Sequence, residues 1–180
     1  LHQVLEQHLE AFLVALDVAG AFDKVWWKAL LKNLHHCGMR GKAHQLLSSY
    51  LCARFLFVVA AGVASAILEF FCGAPQGGIW SPKLWNFHIR EMTVDLKFTK
   101  PFKYADDLGL LKTINTVSSL LDTNRSNAIA ELNSDLKTLF DYGQKWKVTF
   151  EPDKSHAMLV SNTRDCMYPS VSQLVLGDGH

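Results

Sequence analysis

Apolar residues recur along the chain with spacings that change between helical and strand-like, and these changes predict the order of the elements. Residues 12–16 form a continuous apolar run, which is typical of a buried strand, and the run ends at Asp17. Gly38 and Gly62 lie where a helix would stop and a hairpin would turn. In the first half we therefore predict a helix over residues 1–10, a strand over 12–16, helices over 21–34 and 43–51, and a hairpin over 54–71.

The second half begins with a glycine-rich turn over residues 73–78. Ser81 and Pro82 follow, and they predict a helix with serine as its N-cap and proline in its first position. The other predicted elements are a hairpin with residues 105–107 at its tip, a long helix over 126–146, strands over 147–150 and 157–160 around a turn at 152–155, and a last strand starting at 174–176. This order predicts an α+β fold in which helices cover one face of an antiparallel sheet.

Two adjacent carboxylates, Asp106 and Asp107, lie between two short apolar runs. Aspartate is depleted in strand interiors and favoured in turns, so a hairpin tip would present both carboxylates at one end of a sheet. Mg²⁺ usually binds one or two carboxylates together with substrate phosphates. Taken alone, the pair is equally consistent with a polar hairpin turn.

The position of Asp17 at the end of the buried strand favours a metal site over a polar turn. If its strand neighbours the hairpin in one sheet, three carboxylates converge at one edge. Two unit charges about 4 Å apart repel by roughly 4 kcal/mol at an effective dielectric near 20, and bound metal ions remove that cost. Two such ions can stabilise both oxygens of an in-line phosphoryl displacement.

Composition narrows the class of protein further. The 180 residues are 49% hydrophobic, which is enough for a core and predicts about one domain. With 18 basic and 17 acidic residues, the net charge of +1 is not the basic footprint of an independent nucleic-acid binder. No segment predicts a signal peptide or a membrane span. The four cysteines form no C-x-x-C pair, so we expect reduced thiols in an intracellular protein and disfavour a metal site at residues 35–37.

Four stretches together resemble the motifs of reverse transcriptases of the non-LTR (LINE-like) retrotransposon type. Residues 16–25 (LDVAGAFDKV) resemble motif A, residues 73–82 (GAPQGGIWSP) motif B, and residues 104–107 (YADD) motif C. Residues 146–161 resemble motif D. The motifs occur in the family's order, and the resemblance covers nearly the whole chain.

The resemblance implies the palm of an RNA-directed DNA polymerase, with an antiparallel sheet around a ferredoxin- or RRM-like core. The implied reaction adds a dNTP to a primer 3′-hydroxyl on an RNA template and uses two Mg²⁺ ions, for which Mn²⁺ can substitute. The implied partners are the RNA template and the DNA primer, and no membrane is involved. The implied location is nuclear, cytoplasmic or both.

The resemblance also implies roles for individual residues. Asp17 and Asp106 are expected to be ligands of the two Mg²⁺ ions, with Asp107 as the third acid. Val18 is expected to contribute its backbone beside the incoming triphosphate. Phe22 takes the place of an aromatic sugar gate, whose ring leaves no room for a 2′-hydroxyl. The alternative for Phe22 is a core aromatic on an amphipathic helix.

Three further residues match motifs B and D. Gln76 and Gly77 match the pair that contacts nucleotide and template, although an ordinary glycine-rich turn is the alternative. Lys154 matches a lysine that stabilises or protonates the leaving pyrophosphate, and a solvated loop lysine is the alternative. We expect Asp23 to be a first-turn acid that favours the helix dipole and not a further metal ligand.

Departures from the family pattern limit what is expected of this chain. Glu151 stands where many relatives have asparagine, and Trp80 and Trp85 replace the leucine and phenylalanine usual in motif B. Most of the fingers and the thumb fall outside residues 1–180, which we interpret as one palm domain of a longer protein that could include an endonuclease. By itself the chain is expected to be inactive or weak.

Two other functions compete with this interpretation. One is a catalytically silent retroelement relic that serves as a binding or scaffold module. The other is an RNA-dependent RNA polymerase, but those enzymes usually have glycine before the paired aspartates, where this chain has Ala105, and they lack an aromatic gate at the position of Phe22.

Overall fold

The computed structural model describes residues 10–115, 121–161 and 174–175. It divides into two compact units, one formed by Leu1–Ala19 with Glu91–His180 and the other by Gly20–Arg90. In chain order the elements are β1 (Glu10–Val18), α1 (Trp27–His36), α2 (Gly41–Leu51), β2 (Arg54–Leu56), β3 (Val59–Ala60), β4 (Val63–Ala64), β5 (Leu68–Phe70), α3 (Ser81–His88), β6 (Lys100–Tyr104), β7 (Asp107–Ile114), α4 (Leu121–Trp146) and β8 (Phe150–Val160).

The first unit is built on a four-stranded antiparallel sheet with the order β6-β7-β1-β8. Its central strand β1 contains the predicted strand over residues 12–16, which is confirmed and extends two residues beyond it at each end. The helices and the antiparallel sheet confirm the predicted α+β class.

The two faces of this sheet differ in burial because side chains alternate along each strand. Phe12, Val14 and Leu16 of β1 are buried, as are Leu108 and Leu110 of β7. On α4, four leucine and isoleucine residues at helical spacing are also buried: Ile129, Leu132, Leu136 and Leu139. We call this side the covered face, and the side that bears Ala15, Asp17, Asp107 and Gly109 the open face.

A buried ion pair joins β1 to α4 on the covered face. Arg125 Nε and Nη2 donate to the two carboxylate oxygens of Glu10 at 2.8 and 2.6 Å, and both side chains are at most 5% exposed. Ser161 Oγ donates to the same carboxylate at 2.7 Å. The two-point geometry fixes the orientation of both groups.

Asp135 of α4 is a second buried acid, and it holds the segment that leads into β6. Its carboxylate accepts hydrogen bonds from the backbone amides of Lys97, Phe98 and Thr99 at 2.8–3.0 Å, and from Thr99 Oγ1 at 2.8 Å. The three backbone amides just before the strand thereby have a hydrogen-bond acceptor outside the sheet. The start of the β6–β7 hairpin is thus fixed by the helix.

In the Gly20–Arg90 unit, the helix predicted over residues 21–34 begins only at Trp27. The prediction was wrong for residues 21–26 because two of their carbonyls bond elsewhere: Phe22 O accepts from Ala74 N at 2.7 Å, and Val25 O accepts from Gly73 N at 2.9 Å. A helix would have needed those carbonyls for its own ladder. The predicted stop is confirmed, since the amide of Gly38 (φ +92°) donates to His35 O just beyond the helix.

Of the other predictions for this unit, the second helix and the hairpin are confirmed, and the N-cap at Ser81 is wrong. Helix α2 is confirmed, and the hairpin over 54–71 is present as the ladders β2–β5 and β3–β4, with Gly62 at φ +79° in its turn. Ser81 is the first helical residue of α3 and not its N-cap, because its hydroxyl donates to Pro75 O instead. The hairpin is apolar and exposed, with Phe55, Phe57, Val59, Val63, Ile67 and Leu68 all more than half exposed.

The predicted turn at residues 152–155 is wrong, because β8 runs without a break from Phe150 to Val160. Its register on β1 shifts between Ala15↔His156 and Asp17↔Glu151, so residues 152–155 form a bulge in a continuous strand. Helix α4 begins at Leu121 and not at residue 126.

Residues 174–175 are not in a strand, and residue 176 and the helix predicted over 1–9 lie outside the described residues. Glu10, the last residue of that predicted helix, instead begins β1. Among the described helices, none combines the length and apolarity needed to cross a bilayer.

The Glu10–Arg125 pair yields a stability prediction. We expect Arg125→Ala to lower the free energy of unfolding by about 3–5 kcal/mol, because it leaves a buried carboxylate without its cation. Urea unfolding followed by circular dichroism measures this loss.

The matched control is Glu131→Ala. It removes the partly exposed ion pair between Lys112 of β7 and Glu131 of α4, which also joins the sheet to this helix. We expect it to cost at most about 1 kcal/mol. The double variant Glu10→Leu, Arg125→Met removes both charges and should recover most of the loss. Equal costs for Arg125→Ala and Glu131→Ala would contradict the assignment.

Candidate active site

Two carboxylates face each other across the central strand pair. The register of β1 and β7 sets Asp17 directly opposite Asp107, on the open face. Directly opposed residues of antiparallel strands have their Cβ atoms about 4.5–5.5 Å apart, and like charges in such pairs are destabilising. The fold therefore brings together two of the three predicted acids at a cost in stability.

Asp106 lies beside this pair, in the turn between β6 and β7. Tyr104 pairs with Asp107, so Ala105 and Asp106 form a two-residue turn. The predicted hairpin is confirmed, but its tip excludes Asp107, which pairs as the first residue of β7. Ala105 adopts φ +54°, a left-handed conformation that non-glycine residues rarely occupy. Lys103 precedes Tyr104 in β6, and partial burial lowers the pKa of its side-chain ammonium group.

A fourth acid lies on the other side of Asp17. Glu151 of β8 pairs in register with Asp17, so Asp107, Asp17 and Glu151 occupy adjacent strands in one row. In the sequence, Glu151 stands out only as a departure from the family pattern. Its place in the row depends on the pairing of β8 with β1, and the predicted turn at 152–155 concealed that pairing.

The bulge in β8 brings one cation to the row. Lys154 Nζ lies 3.7 Å from Asp17 Oδ2, with the lysine side chain 69% exposed and the aspartate 29%. Ser155 Oγ donates to Glu151 O at 2.7 Å, which closes the bulge, and it accepts from Asp17 N at 3.4 Å. Because the lysine is mostly solvated, its attraction to Asp17 is weak and screened by salt.

The donor set suits a hard cation only in part. Within the described ranges, no three His, Cys, Asp or Glu side chains form a ready-made metal site. A carboxylate pair with neighbouring acids still offers the oxygen ligands that Mg²⁺ takes together with substrate phosphates. Val18, the last residue of β1, has a buried side chain and pairs with Phe150.

The remaining predicted residues lie in the Gly20–Arg90 unit. Phe22 is in a turn and not on a helix, and its ring packs at 6.4 Å from the ring of Trp85, which is 1% exposed. Gln76 and Gly77 are exposed in the loop before α3, with Gly77 at φ +80°. The chain thus presents these residues on a packed turn and an exposed loop.

Asp23 is not the first-turn acid that the sequence predicted, because α1 starts four residues later. Its Oδ1 instead accepts a hydrogen bond from Gln76 Nε2 at 3.2 Å. This contact joins the second aspartate of motif A to the glutamine of motif B, and the local sequence gave no signal for it.

Comparison with known proteins agrees with the motifs. The chain is 25% identical over 195 aligned residues to the RNA-directed DNA polymerase from mobile element jockey of Drosophila funebris, covering 100% of this chain and 20% of that protein. It is 27% identical over 164 residues to the probable RNA-directed DNA polymerase from transposon BS of Drosophila melanogaster, covering 86% and 18%. The chain thus spans about a fifth of these curated relatives.

Solved structures with a similar fold come from telomerases. Apo telomerase from Candida tropicalis, truncated from its C-terminal domain, has a TM-score of 0.59 at 9% identity, covering 91% of this chain and 34% of that one. Telomerase from Candida albicans, in complex with a TWJ fragment of telomeric RNA, has a TM-score of 0.57 at 13% identity, covering 87% and 27%. These likenesses support the predicted palm fold.

The family profile of reverse transcriptase (RNA-dependent DNA polymerase) matches residues 1–173. The relatives from mobile elements confirm the resemblance to non-LTR reverse transcriptases. This match covers all the motif residues, on both units. The chain therefore belongs to the reverse transcriptase family.

Proposed function

We propose that this chain is the palm of an RNA-directed DNA polymerase that adds dNTPs to a primer 3′-hydroxyl on an RNA template. The observation that carries the proposal is the in-register opposition of Asp17 and Asp107 on an open sheet face, in a chain of the reverse transcriptase family. The complete polymerase would include further segments, since the chain spans about a fifth of its curated relatives.

Asp17 and Asp107, with Asp106 in the adjoining turn, would hold two Mg²⁺ ions, or Mn²⁺ in their place. The fit rests on the chemistry of the donors: carboxylate oxygens on an accessible face, whose mutual repulsion a divalent cation relieves. When bound, such ions supply charge stabilisation for the attacking and leaving oxygens of a phosphoryl transfer.

The chain's own residues would shape the surface where the primer end lies. Next to the acid pair, the register sets Ala15 opposite Gly109, so the two central strands present almost no side chain there, between Phe102 of β6 and His156 of β8. This low surface leaves room for a sugar-phosphate strand close to the carboxylates. The solvated side chain of Lys154 lies near Asp17. It would stabilise the leaving pyrophosphate by its positive charge or protonate it.

Phe22, Gln76 and Gly77 would act on the nucleotide and the template. The ring of Phe22 rests on the buried ring of Trp85, which limits its freedom to move away from a sugar. Such a wall excludes a 2′-hydroxyl by contact alone. Val18 would contribute its backbone beside the triphosphate, and the positive φ of Gly77 would let the backbone approach a ligand closely.

Primer extension on an RNA template tests the proposed activity directly. In the longer protein that contains this chain, we expect Asp17→Asn to lower kcat by on the order of 10²–10³-fold, because metal-assisted charge stabilisation is worth several kcal/mol. The isolated chain should extend primers weakly or not at all.

The control is Asp141→Asn, which removes an exposed acid of α4 and should leave extension unchanged. If Asp17→Asn extends primers as well as wild type, the catalytic role assigned to Asp17 is wrong. A wild-type protein that folds but never extends a primer would favour the silent scaffold module instead.

Metal binding can be tested on the chain itself by thermal or urea unfolding with and without Mg²⁺ or Mn²⁺. Metal at about 100 times its dissociation constant should stabilise the wild type by roughly 2.7 kcal/mol. Asp107→Asn should lose this gain, yet without metal it should be more stable than wild type by up to about 1 kcal/mol, because a like-charge pair is removed.

Asp141→Asn again serves as the control and should keep the full metal response. A metal response that is the same in Asp107→Asn as in wild type would exclude these carboxylates as the ligands.

The sugar gate predicts a change in substrate selection. Phe22→Ala should raise ribonucleotide incorporation relative to deoxyribonucleotide by about tenfold or more, because the wall against the 2′-hydroxyl is gone. Ratios of kcat/KM for matched rNTP and dNTP pairs measure it. Phe22→Tyr keeps the ring and should keep the discrimination, and unchanged selection in Phe22→Ala would rule out the gate.

A further inference from the structure

We propose that Asp23 is a positioning residue that fixes the side-chain amide of Gln76, so that its oxygen Oε1 is held ready to accept a hydrogen bond from a substrate hydroxyl. The inference rests on the proposed polymerase function and adds a residue to it. It assigns to Asp23 a role in selecting substrates by the hydroxyl groups that they carry.

The direction of the amide follows from the chemistry of the contact. Gln76 Nε2 lies 3.2 Å from Asp23 Oδ1, and an ionised carboxylate only accepts hydrogen bonds. The amide nitrogen must therefore face Asp23, and the amide oxygen must lie on the opposite side. Without the carboxylate, rotation of the amide by 180° would present the nitrogen, a donor, in its place.

The two residues are held by a network of backbone contacts. Gly73 N donates to Val25 O and Ala74 N to Phe22 O, so the loop before Gln76 is bonded to the turn on either side of Asp23. Asp23 O also accepts from Cys72 Sγ at 3.3 Å. This ladder limits the movement of each side chain relative to the other.

Gly73 shows how close the two segments approach. A Cβ at this position would lie 3.0 Å from Asp23 O, and Gly73 has φ +95°. Both facts require glycine here. The approach of the turn to the loop is therefore built into the backbone and does not depend on the exposed side chains.

The pair lies on the wall of a cavity of about 250 Å³ in the same unit. Arg54 also lines it, and its guanidinium is oriented by Tyr50, whose carbonyl it contacts at 3.2 Å and whose ring it covers at 5.5 Å. The apolar lining includes Trp27 and Phe55. An acceptor oxygen, a cation and aromatic walls together suit a sugar of a nucleotide or a nucleic acid strand.

The ligand chemistry is that of a hydroxyl donor, and besides the reacting 3′-hydroxyl of the primer, two substrates of a polymerase on RNA carry one. A dNTP has a 3′-hydroxyl, and an RNA template has 2′-hydroxyls. In Asp23→Ala the amide is free to turn, so a contact with either hydroxyl would be made only part of the time. Substrates without the hydroxyl should not sense the change.

The pair itself is tested on the chain by NMR of side-chain amides. In the wild type, the Nε2 proton of Gln76 that is bonded to the carboxylate should be shifted downfield of its usual position and should exchange slowly with water. Asp23→Ala should remove both signatures. Glu69→Ala, which removes an exposed acid of β5 in the same unit, should leave them intact. A Gln76 signal unaffected by Asp23→Ala would overturn the proposal.

The substrate effect is tested by single-nucleotide kinetics in the longer protein. Asp23→Ala should lower kcat/KM by about 3–10-fold with the substrate that carries the recognised hydroxyl, as expected for one hydrogen bond. Comparing dNTP with ddNTP tests the nucleotide as the source, and comparing RNA with DNA templates tests the template. Asp23→Asn keeps an acceptor oxygen but adds a donor, so it should recover only part of the loss.

The outcomes separate this proposal from the proposed function. An equal loss with every substrate would mean that Asp23 only stabilises the fold, and the positioning role would be wrong. If the wild type does not polymerise although the NMR signatures follow Asp23, the amide is still fixed by Asp23, but polymerisation is not the function that uses it.

Discussion

The buried ion pair between Glu10 and Arg125 is the interaction on which the sheet depends. Strand β1 carries an acid near each end, Glu10 on the covered face and Asp17 on the open face. Only Glu10 has a cation held against it by two short hydrogen bonds within the core. This pair ties the helix α4 and the far end of β8, through Ser161, to the first residue of the central strand. The register of β1 is therefore anchored at the end away from the site.

That anchoring explains how the sheet tolerates the crowding of charge at its other end. Asp17 lies between Asp107 and Glu151 on neighbouring strands, an arrangement that a freely sliding strand would avoid. A slip by one residue would move Asp17 to the covered face and Glu10 off its arginine. Both changes are costly, so the acid row is retained although it destabilises the sheet locally. Lys154, brought in by the bulge of β8, offsets part of the repulsion.

The elements that sequence patterns predicted are those whose signals are local. The strand over 12–16, the helix α2 and the hairpin tip at Ala105–Asp106 each follow from residues within one segment. The start of α1 was missed because Phe22 and Val25 bond to residues about fifty positions away. The bulge in β8 and the place of Glu151 depend on pairing with β1, and Arg125 is 115 positions from Glu10. Such contacts leave no periodicity in the sequence.

The same distinction applies within the candidate site. Motif resemblance named Asp17, Asp107 and Gln76, whereas the helix predicted over residues 21–34 led to the wrong expectation that Asp23 is a first-turn acid. The turn that carries Asp23 is shaped by the loop that carries Gln76, through backbone bonds and through the close approach of Gly73, at φ +95°, to Asp23 O. Two sequence motifs that are separated along the chain are thus one structural element. For that reason Asp23, to which the motif resemblance gives no role, determines together with the motif residues which atoms of Gln76 a substrate meets.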